Sequence, residues 1–488
     1  MLTKKQVESI KWYKQSGAGI PLCIEVPLFV ISKRIYKKCG LYFPNDVLIC
    51  LKSNNGLIFY HYFDYYLTLK EVEKMFKHLE DNDGFFEKLK KDFYPSARKM
   101  EKIGLDILDE KVTSIKFTKK YERFLECSMK FWENSLFVDL LDPFESQIID
   151  FIFDSNKEKI DKKDLNVLLS PDKLSIFQEE QKDILKIYEI AKKEGSDSLK
   201  VKKMIKDHSN NYYWLKNDYE KVECLDEKYF YEILNKLLNN SSEVGILLNG
   251  LKKFEETKKN KTLLIGKYKL NEKSIEYLNF FNWVTSYRDD RKKYNQISNY
   301  ILIKIIEKIS DELGIDTELL KYSLHNEIMS VIKKDDKVLS EIKKRKEGLV
   351  SFSQKTTEPK TFSGSIAKEY FDIIEKTITA SEIKGTTASP GKAIGTAKII
   401  LNQSDFSKME NGDVIVASMT RPEYVSIMKM ASAIVTDEGG ITCHAAIVSR
   451  ELNIPCITGT QIASRSIKDG DLIDVNADHG LVKIIKKA

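Results

Sequence analysis

Apolar residues recur every four positions from Ile297 to Leu313, and Leu302 and Ile306 widen the stripe. That spacing predicts an amphipathic helix, with Gly314 placed to close it in the left-handed conformation. A second helix is expected to start at Ser175, which has capping-box spacing to Gln178. It would run through Ile184, Ile187 and Ala191 to stop near Gly195. Residues 121–350 therefore read as a helical domain. Nearer the N-terminus, Val47–Leu51 and Leu57–Tyr62 flank Asn54-Asn55-Gly56, a hairpin signature. Residues 1–120 are accordingly expected to form an α+β region, to which no role is assigned. The stretch Ser351–Ser365, SFSQKTTEPKTFSGS, is polar and weakly periodic, so an exposed linker is expected over 351–382.

Past residue 383 the pattern changes to short β-branched runs at Ile394–Leu401, Val414–Ala417, Ala433–Thr436, Pro455–Thr458, Leu472–Val475 and Leu481–Ile485. Two helices interrupt them. One is expected after Thr420, which has capping-box spacing to Glu423 and Pro422 just inside. The other is expected after Thr442, spanning His444 to about Leu452. Nine of the 22 glycines also fall in 383–488, as strands with tight turns require. The predicted fold is multidomain: a mainly α-helical N-terminal region followed by a C-terminal mixed α/β domain over 383–488.

Composition narrows the function classes. Lys and Arg number 79 against 73 Asp and Glu, too thin a surplus for the concentrated basic face of a nucleic-acid binder. The longest apolar stretch, Gly19–Ser32, is short and broken by Pro21, Glu25 and Pro27, so no membrane span is predicted. The first residues, MLTKKQVESIKWYK, lack an apolar signal core. Seven scattered cysteines without CxxC spacing argue against a disulfide framework and a zinc finger. A cytoplasmic protein with no metal site is expected. The segment Gly385–Ala393 superficially looks like a phosphate-binding loop, but it has the wrong glycine spacing and Ala393 replaces the required Ser or Thr. It reads as a Pro–Gly turn entering a strand.

The densest chemistry lies in Thr436–Val448, TDEGGITCHAAIV. A buried strand would end at Thr436, Gly439 and Gly440 would allow a sharp turn, and Thr442 would cap a helix with His444 in its first turn. Unbonded amides and the helix dipole there form an anion site. On the residues alone, two readings stand: a core histidine satisfying a helix end, or a neutral imidazole nucleophile that takes up a phosphoryl group. In the second, Gly439, Gly440, Thr442 and Cys443 position the phosphate. Cys443 and His444 are adjacent and do not face each other on a helix, so they should form no dyad.

The run TDEGGITCHAAIVSRELNIPCITGT resembles the active-site segment of the mobile domain of the phosphoenolpyruvate-utilising enzymes. Phosphoenolpyruvate synthase, pyruvate phosphate dikinase and rifampin phosphotransferase share that domain. The flanks KGTTASPGKAIGTAKII, GDVIVASMTRPEYVSIMKMASAIVT and IKDGDLIDVNADHGLVKII fit as well, so the resemblance covers 383–488. It implies that His444 is transiently phosphorylated and that its domain swivels between two distant sites. Arg421 would hold phosphate or dock a partner, or is a surface arginine; His479 belongs to a turn. Full family enzymes add an ATP-grasp domain, and dikinases and synthases a pyruvate-binding barrel. Neither is read in this chain, which is expected to bind no cofactor itself, ATP and Mg²⁺ being held by a separate ATP-grasp partner. In the helical region, the segments around His208 and Trp214 and around Arg288 resemble the middle of rifampin phosphotransferase. They line a pocket for a small-molecule acceptor, or are ordinary core aromatics and surface ion pairs. Two functions follow: a phosphotransferase component, or a non-catalytic phosphocarrier or regulatory protein whose helical region binds another protein.

Overall fold

Val47, Ile49, Tyr62, Val350 and Phe352 form one buried cluster with Trp12 and Tyr370. They lie on a five-stranded antiparallel sheet built from both ends of the chain's first 363 residues. Its strands are β1 (Trp12–Ala18), β2 (Asp46–Ser53), β3 (Gly56–Asp64), β4 (Leu349–Gln354) and β5 (Thr357–Ser363), in the order β1-β3-β2-β4-β5. The helix Ile366–Thr377 adds Tyr370 and Ile374 to that core. This computed structural model describes residues 2–488 apart from 31–33, 54–55, 82–83, 145–148, 150–151, 154–159, 218, 220, 355–356, 378–382 and 441–442. The expected hairpin is present, with Ser53 opposite Gly56; the turn residues Asn54 and Asn55 lie outside the described residues.

The expected linker is corrected: Leu349–Gln354 and Thr357–Ser363 are two strands of this sheet. In β4, Leu349, Val350, Ser351, Phe352 and Ser353 are all buried, since the strand lies between β2 and β5. Short hydroxyl side chains tolerate that position, and Thr is a good strand former. Strand β5 is an edge, where Pro359 costs no ladder hydrogen bond.

Contacts group the chain into two units, one of Met1–Glu145, Asp218–Glu220 and Ser298–Ala488, the other of Ser146–Asn217 and Lys221–Ile297. The boundaries differ from a single helical domain over 121–350. The helix expected from Ile297 runs over Glu272–Leu313 and passes from the second unit into the first. In the first unit it meets the helix Phe85–Ile107 at Gly104, where an added Cβ would stand 2.4 Å from Ile301 Cδ1. The second unit is helical. Its helix Ile176–Glu194 carries the predicted capping box, with Gln178 N–H donating to Ser175 Oγ at 3.3 Å and Ser175 N–H donating to Gln178 Oε1 at 3.0 Å. Among the described residues no helix is long and apolar enough to cross a membrane.

Residues 383–486 build a second, eight-stranded sheet entirely among themselves. Its strands are β6 (Ile383–Lys384), β7 (Thr386–Ser389), β8 (Lys392–Ile399), β9 (Val414–Ala417), β10 (Ala433–Thr436), β11 (Cys456–Thr458), β12 (Leu472–Asn476) and β13 (Leu481–Lys486). The order is β6-β13-β12-β8-β9-β10-β11-β7, and β8 to β11 run parallel. Strands β9, β10 and β11 are buried on both faces, as parallel strands usually are. Alternate residues divide between two cores: Val414, Val416, Ala433 and Val435 on one face, Ile415, Ala417 and Ile434 on the other. The helix His444–Leu452 lies on the second face, and Ala445 and Ala446 let it approach closely. Because these strands and cores draw only on residues 383–486, a 383–488 fragment is expected to fold alone. It should show one cooperative thermal transition and slow amide exchange in β8 to β10; a fragment lacking both would show that the core needs the rest of the chain.

Candidate active site

Ala417 and Thr436 are paired in register at the carboxyl ends of the adjacent parallel strands β9 and β10. In open α/β sheets that end of the strands is where ligands collect. The chain leaving β9 carries Ser418, Thr420 and Arg421, and the chain leaving β10 carries Asp437 to Cys443. Strand pairing thus brings together side chains that are 24 residues apart in sequence: Thr420 Oγ1 lies 2.8 Å from His444 Nδ1. Nearby, the Arg421 guanidinium stands 5.6 Å from the centre of the Tyr219 ring.

His444 opens the helix His444–Leu452, preceded by Cys443 at the N-cap. Amides of a helix's first turn have no acceptor inside the helix, so the imidazole stands at the electropositive end. Several contacts brace the loop before it. Thr436 Oγ donates to the Glu438 carbonyl at 2.7 Å. Asp437, only 3% exposed, accepts from Thr460 Oγ1 at 3.0 Å, from Ser464 N–H at 3.1 Å and from the Ser464 hydroxyl. Gln461 N–H reaches the Asp437 carbonyl at 2.9 Å. The Cys443 N–H donates to the Gly440 carbonyl at 3.2 Å.

Two capping expectations are corrected. Thr420 does not cap the helix that follows it. Arg421 holds that place, before the short 3-10 turn Pro422–Tyr424, and the Thr420 hydroxyl goes to the imidazole instead. The cap before His444 is Cys443, which makes no side-chain capping bond; Thr442 lies outside the described residues. Cys443 packs its sulfur against the turn at Gly439 and joins the apolar cluster beneath the helix. Gly439 sits at φ +93°, in the left-handed region. Sequence reasoning missed the Thr420 contact because the pairing of two strands, which no local spacing reports, produces it.

Of the three expected acceptor residues, two are buried and one is half-buried. His208 is 4% exposed, its Nε2 lies 2.9 Å from Glu180 Oε1, and its ring meets Tyr212 and Phe230. Trp214 is 1% exposed and donates its indole N–H to the Asn211 carbonyl at 2.8 Å. Both side chains are packed in the interior. Arg288 is half-buried on the helix Glu272–Leu313. Its neighbour Asp289 accepts from Ile176 N–H at 2.9 Å and so satisfies one amide at the start of another helix; burial raises the Asp289 carboxyl above its ordinary range. Among the described residues no group of three His, Cys, Asp or Glu side chains is placed to hold a metal ion.

The Thr420–His444 contact has a testable consequence. A net hydrogen bond is worth about 0.5–1.5 kcal/mol, so if His444 is a phosphoryl acceptor, Thr420→Val should lower phosphoryl uptake by roughly tenfold. Thr420→Ser, which keeps the hydroxyl, should restore it. The measurement is the initial rate of acid-labile labelling; equal rates for Val and Ser variants would remove Thr420 from the site.

The C-terminal part of the chain is similar to known proteins. Residues 409–480 match the family model described as PEP-utilising enzyme, mobile domain. The probable phosphoenolpyruvate synthase of Archaeoglobus fulgidus is 52% identical over 100 residues, covering 20% of this chain and 13% of that protein. Phosphoenolpyruvate synthase of Aeropyrum pernix is 54% identical over 101 residues, 20% of this chain and 12% of that protein. The uncharacterized phosphotransferase YvkC of Bacillus subtilis is 29% identical over 231 residues, 44% of this chain and 28% of that protein. The chain thus spans about an eighth of the length of the two synthases.

Proposed function

We propose that His444 takes up a phosphoryl group on Nε2 and passes it to a second acceptor, making this chain a component of a phosphotransferase. The observation that carries the reading is the 2.8 Å contact of His444 Nδ1 with Thr420 Oγ1 at the start of a helix. With Nδ1–H donating to the threonine oxygen, the ring is the neutral tautomer and Nε2 holds the lone pair. This tautomer is assigned from the role, since hydroxyl and imidazole protons are fixed by their partners.

In the first half-reaction the Nε2 lone pair attacks phosphorus in line, and the bond to the leaving oxygen breaks with its electron pair on that oxygen. The ring then carries the phosphoryl group on Nε2 and keeps its proton on Nδ1, held by Thr420. In the second half-reaction an acceptor oxygen attacks phosphorus, the electrons of the phosphorus–nitrogen bond return to Nε2, and the acceptor proton leaves to water. The helix end favours the negative phosphoryl group throughout.

The donor side is read as a separate ATP-grasp protein that holds ATP and Mg²⁺, and the acceptor as a small hydroxyl- or carboxylate-bearing molecule held by the helical region. The names of the matched relatives support phosphoryl transfer. The test is direct. The chain incubated with MgATP alone should acquire no acid-labile phosphate, whereas a cognate ATP-grasp protein should bring about labelling together with AMP and one orthophosphate, water taking up the second phosphoryl group of ATP. Labelling by the highly purified chain alone would refute a separate donor.

A further inference from the structure

Strand β1 is the outermost strand of the N-terminal sheet, with β3 as its neighbour in the sheet. An edge strand turns alternate N–H and C=O groups away from its sheet, where they need other partners. At Ser16 both backbone groups are taken by residues of the C-terminal domain. The Ser16 N–H donates to Glu438 Oε1. The Ser418 hydroxyl lies 3.1 Å from the Ser16 carbonyl oxygen and 3.1 Å from Glu438 Oε1. The Ser16 and Ser418 hydroxyls are 2.5 Å apart, and Glu438 N–H donates to the Ser418 carbonyl at 2.8 Å. All three residues are buried.

Beside this polar cluster the interface is incompletely filled. A cavity of about 90 Å³ lies beside Ser16 and Ser418, walled by Lys14, Ile58 and Phe371 on one side and by Leu401 and Arg465 on the other. Buried polar groups that exchange their partners for water lose little net free energy on separation. A contact of this kind holds a position without making it permanent.

We infer that the open edge of the N-terminal sheet at Ser16 is a berth for the C-terminal domain, pinned by Glu438 and Ser418 and vacated when that domain swings away. The inference rests on the proposed function and on the swivelling that the resemblance of residues 383–488 implies, and it gives the domain a defined parked position. The pin is next to the chemistry: Ser418 is two residues from Thr420, and Glu438 lies in the loop that leads to His444.

The berth also responds to pH. Burial raises the Glu438 carboxyl well above its ordinary range, and the adjacent Asp437 raises it further. The Ser16 N–H, the Ser418 hydroxyl and Lys14 oppose that rise, and Arg465 is the other cation lining the cavity. A parked Glu438 therefore holds its proton more tightly than a freed one. Parking is strongest below the ordinary glutamate pKa of about 4.3 and weakens as pH rises toward the raised value.

Amide exchange of the Ser16 N–H in the full-length chain tests this without any phosphoryl donor. Glu438→Ala should speed that exchange at least tenfold, while Glu438→Gln, whose amide oxygen still accepts, should not. Between about pH 5 and about pH 8, wild-type protection relative to Glu438→Gln at the same pH should fall. Slow exchange in β8 to β10 must persist in each variant, showing the domain still folded. If Glu438→Ala loses it, Ser418→Ala, which leaves the carboxyl in place, should still speed Ser16 exchange. Equal exchange in wild type and the alanine variants overturns the berth, as does Glu438→Gln behaving like Glu438→Ala. Ser16 exchange as slow as the core amides at every pH overturns the swing and leaves His444 labelling untouched.

Discussion

His444→Ala should abolish acid-labile phosphorylation of the chain altogether. Three features make this the largest expected effect. His444 is the nucleophile of the proposed reaction, so its loss removes the bond-forming atom, not merely a fraction of the rate. The candidate next in line, Cys443, has its sulfur packed against the Gly439 turn and joins an apolar cluster. Thr420 holds the ring but has no base of its own besides that ring. Labelled wild-type chain, digested under alkaline conditions, should yield one phosphopeptide containing His444, and its label should vanish on brief acid treatment. Cys443→Ala should keep the label. Phosphate retained by His444→Ala, or label that survives acid, would place the acceptor elsewhere.

The C-terminal domain was largely legible because each of its signals is local. Runs such as Val414–Ala417 and Ala433–Thr436 are β-branched and bounded by turn residues, and they became the strands expected. The helix from His444 to Leu452 also stands where its apolar and small residues put it. Capping at Ser175 was readable for the same reason, since both partners lie within one turn. What was not legible depended on distant pairing. Strand β1, WYKQSGA, has no clean alternation, and it becomes a strand by pairing with β3. Strands β4 and β5 look like a linker because their serines and threonines say nothing of the neighbours that bury them. Thr420 carries two compatible local meanings, cap and side-chain partner, and the register of β9 against β10 selects the second. His208 and Trp214, which drew attention as an aromatic cluster, turned out to be core, the commoner fate of such clusters.

Gly439→Ala should cut labelling at least a hundredfold, and its cause can be separated from ordinary backbone strain. Gly439 has φ +93°, and a non-glycine residue in left-handed backbone costs roughly 1–2 kcal/mol. Its Cα also lies under Cys443, so an added Cβ would stand 2.7 Å from both Cβ and Sγ of that side chain. Such a contact forces either the turn or Cys443 to move. Cys443 is the residue directly before His444 and opens its helix, so movement there displaces the imidazole from Thr420. A misplacement of about 1 Å can cost a hundredfold in rate. Gly412 provides the control, because it has φ +91° but nothing within 4 Å of an added Cβ. Gly412→Ala should lower stability by about 1–2 kcal/mol and leave the labelling rate unchanged. Removing the obstructing atoms gives the complementary test: Gly439→Ala combined with Cys443→Gly should recover much of the labelling lost in the single variant, a non-additivity expected of residues in contact. If the double variant labels no faster than Gly439→Ala alone, the steric route from Gly439 through Cys443 to His444 is wrong. If Gly439→Ala labels at the wild-type rate, the turn does not position the histidine at all.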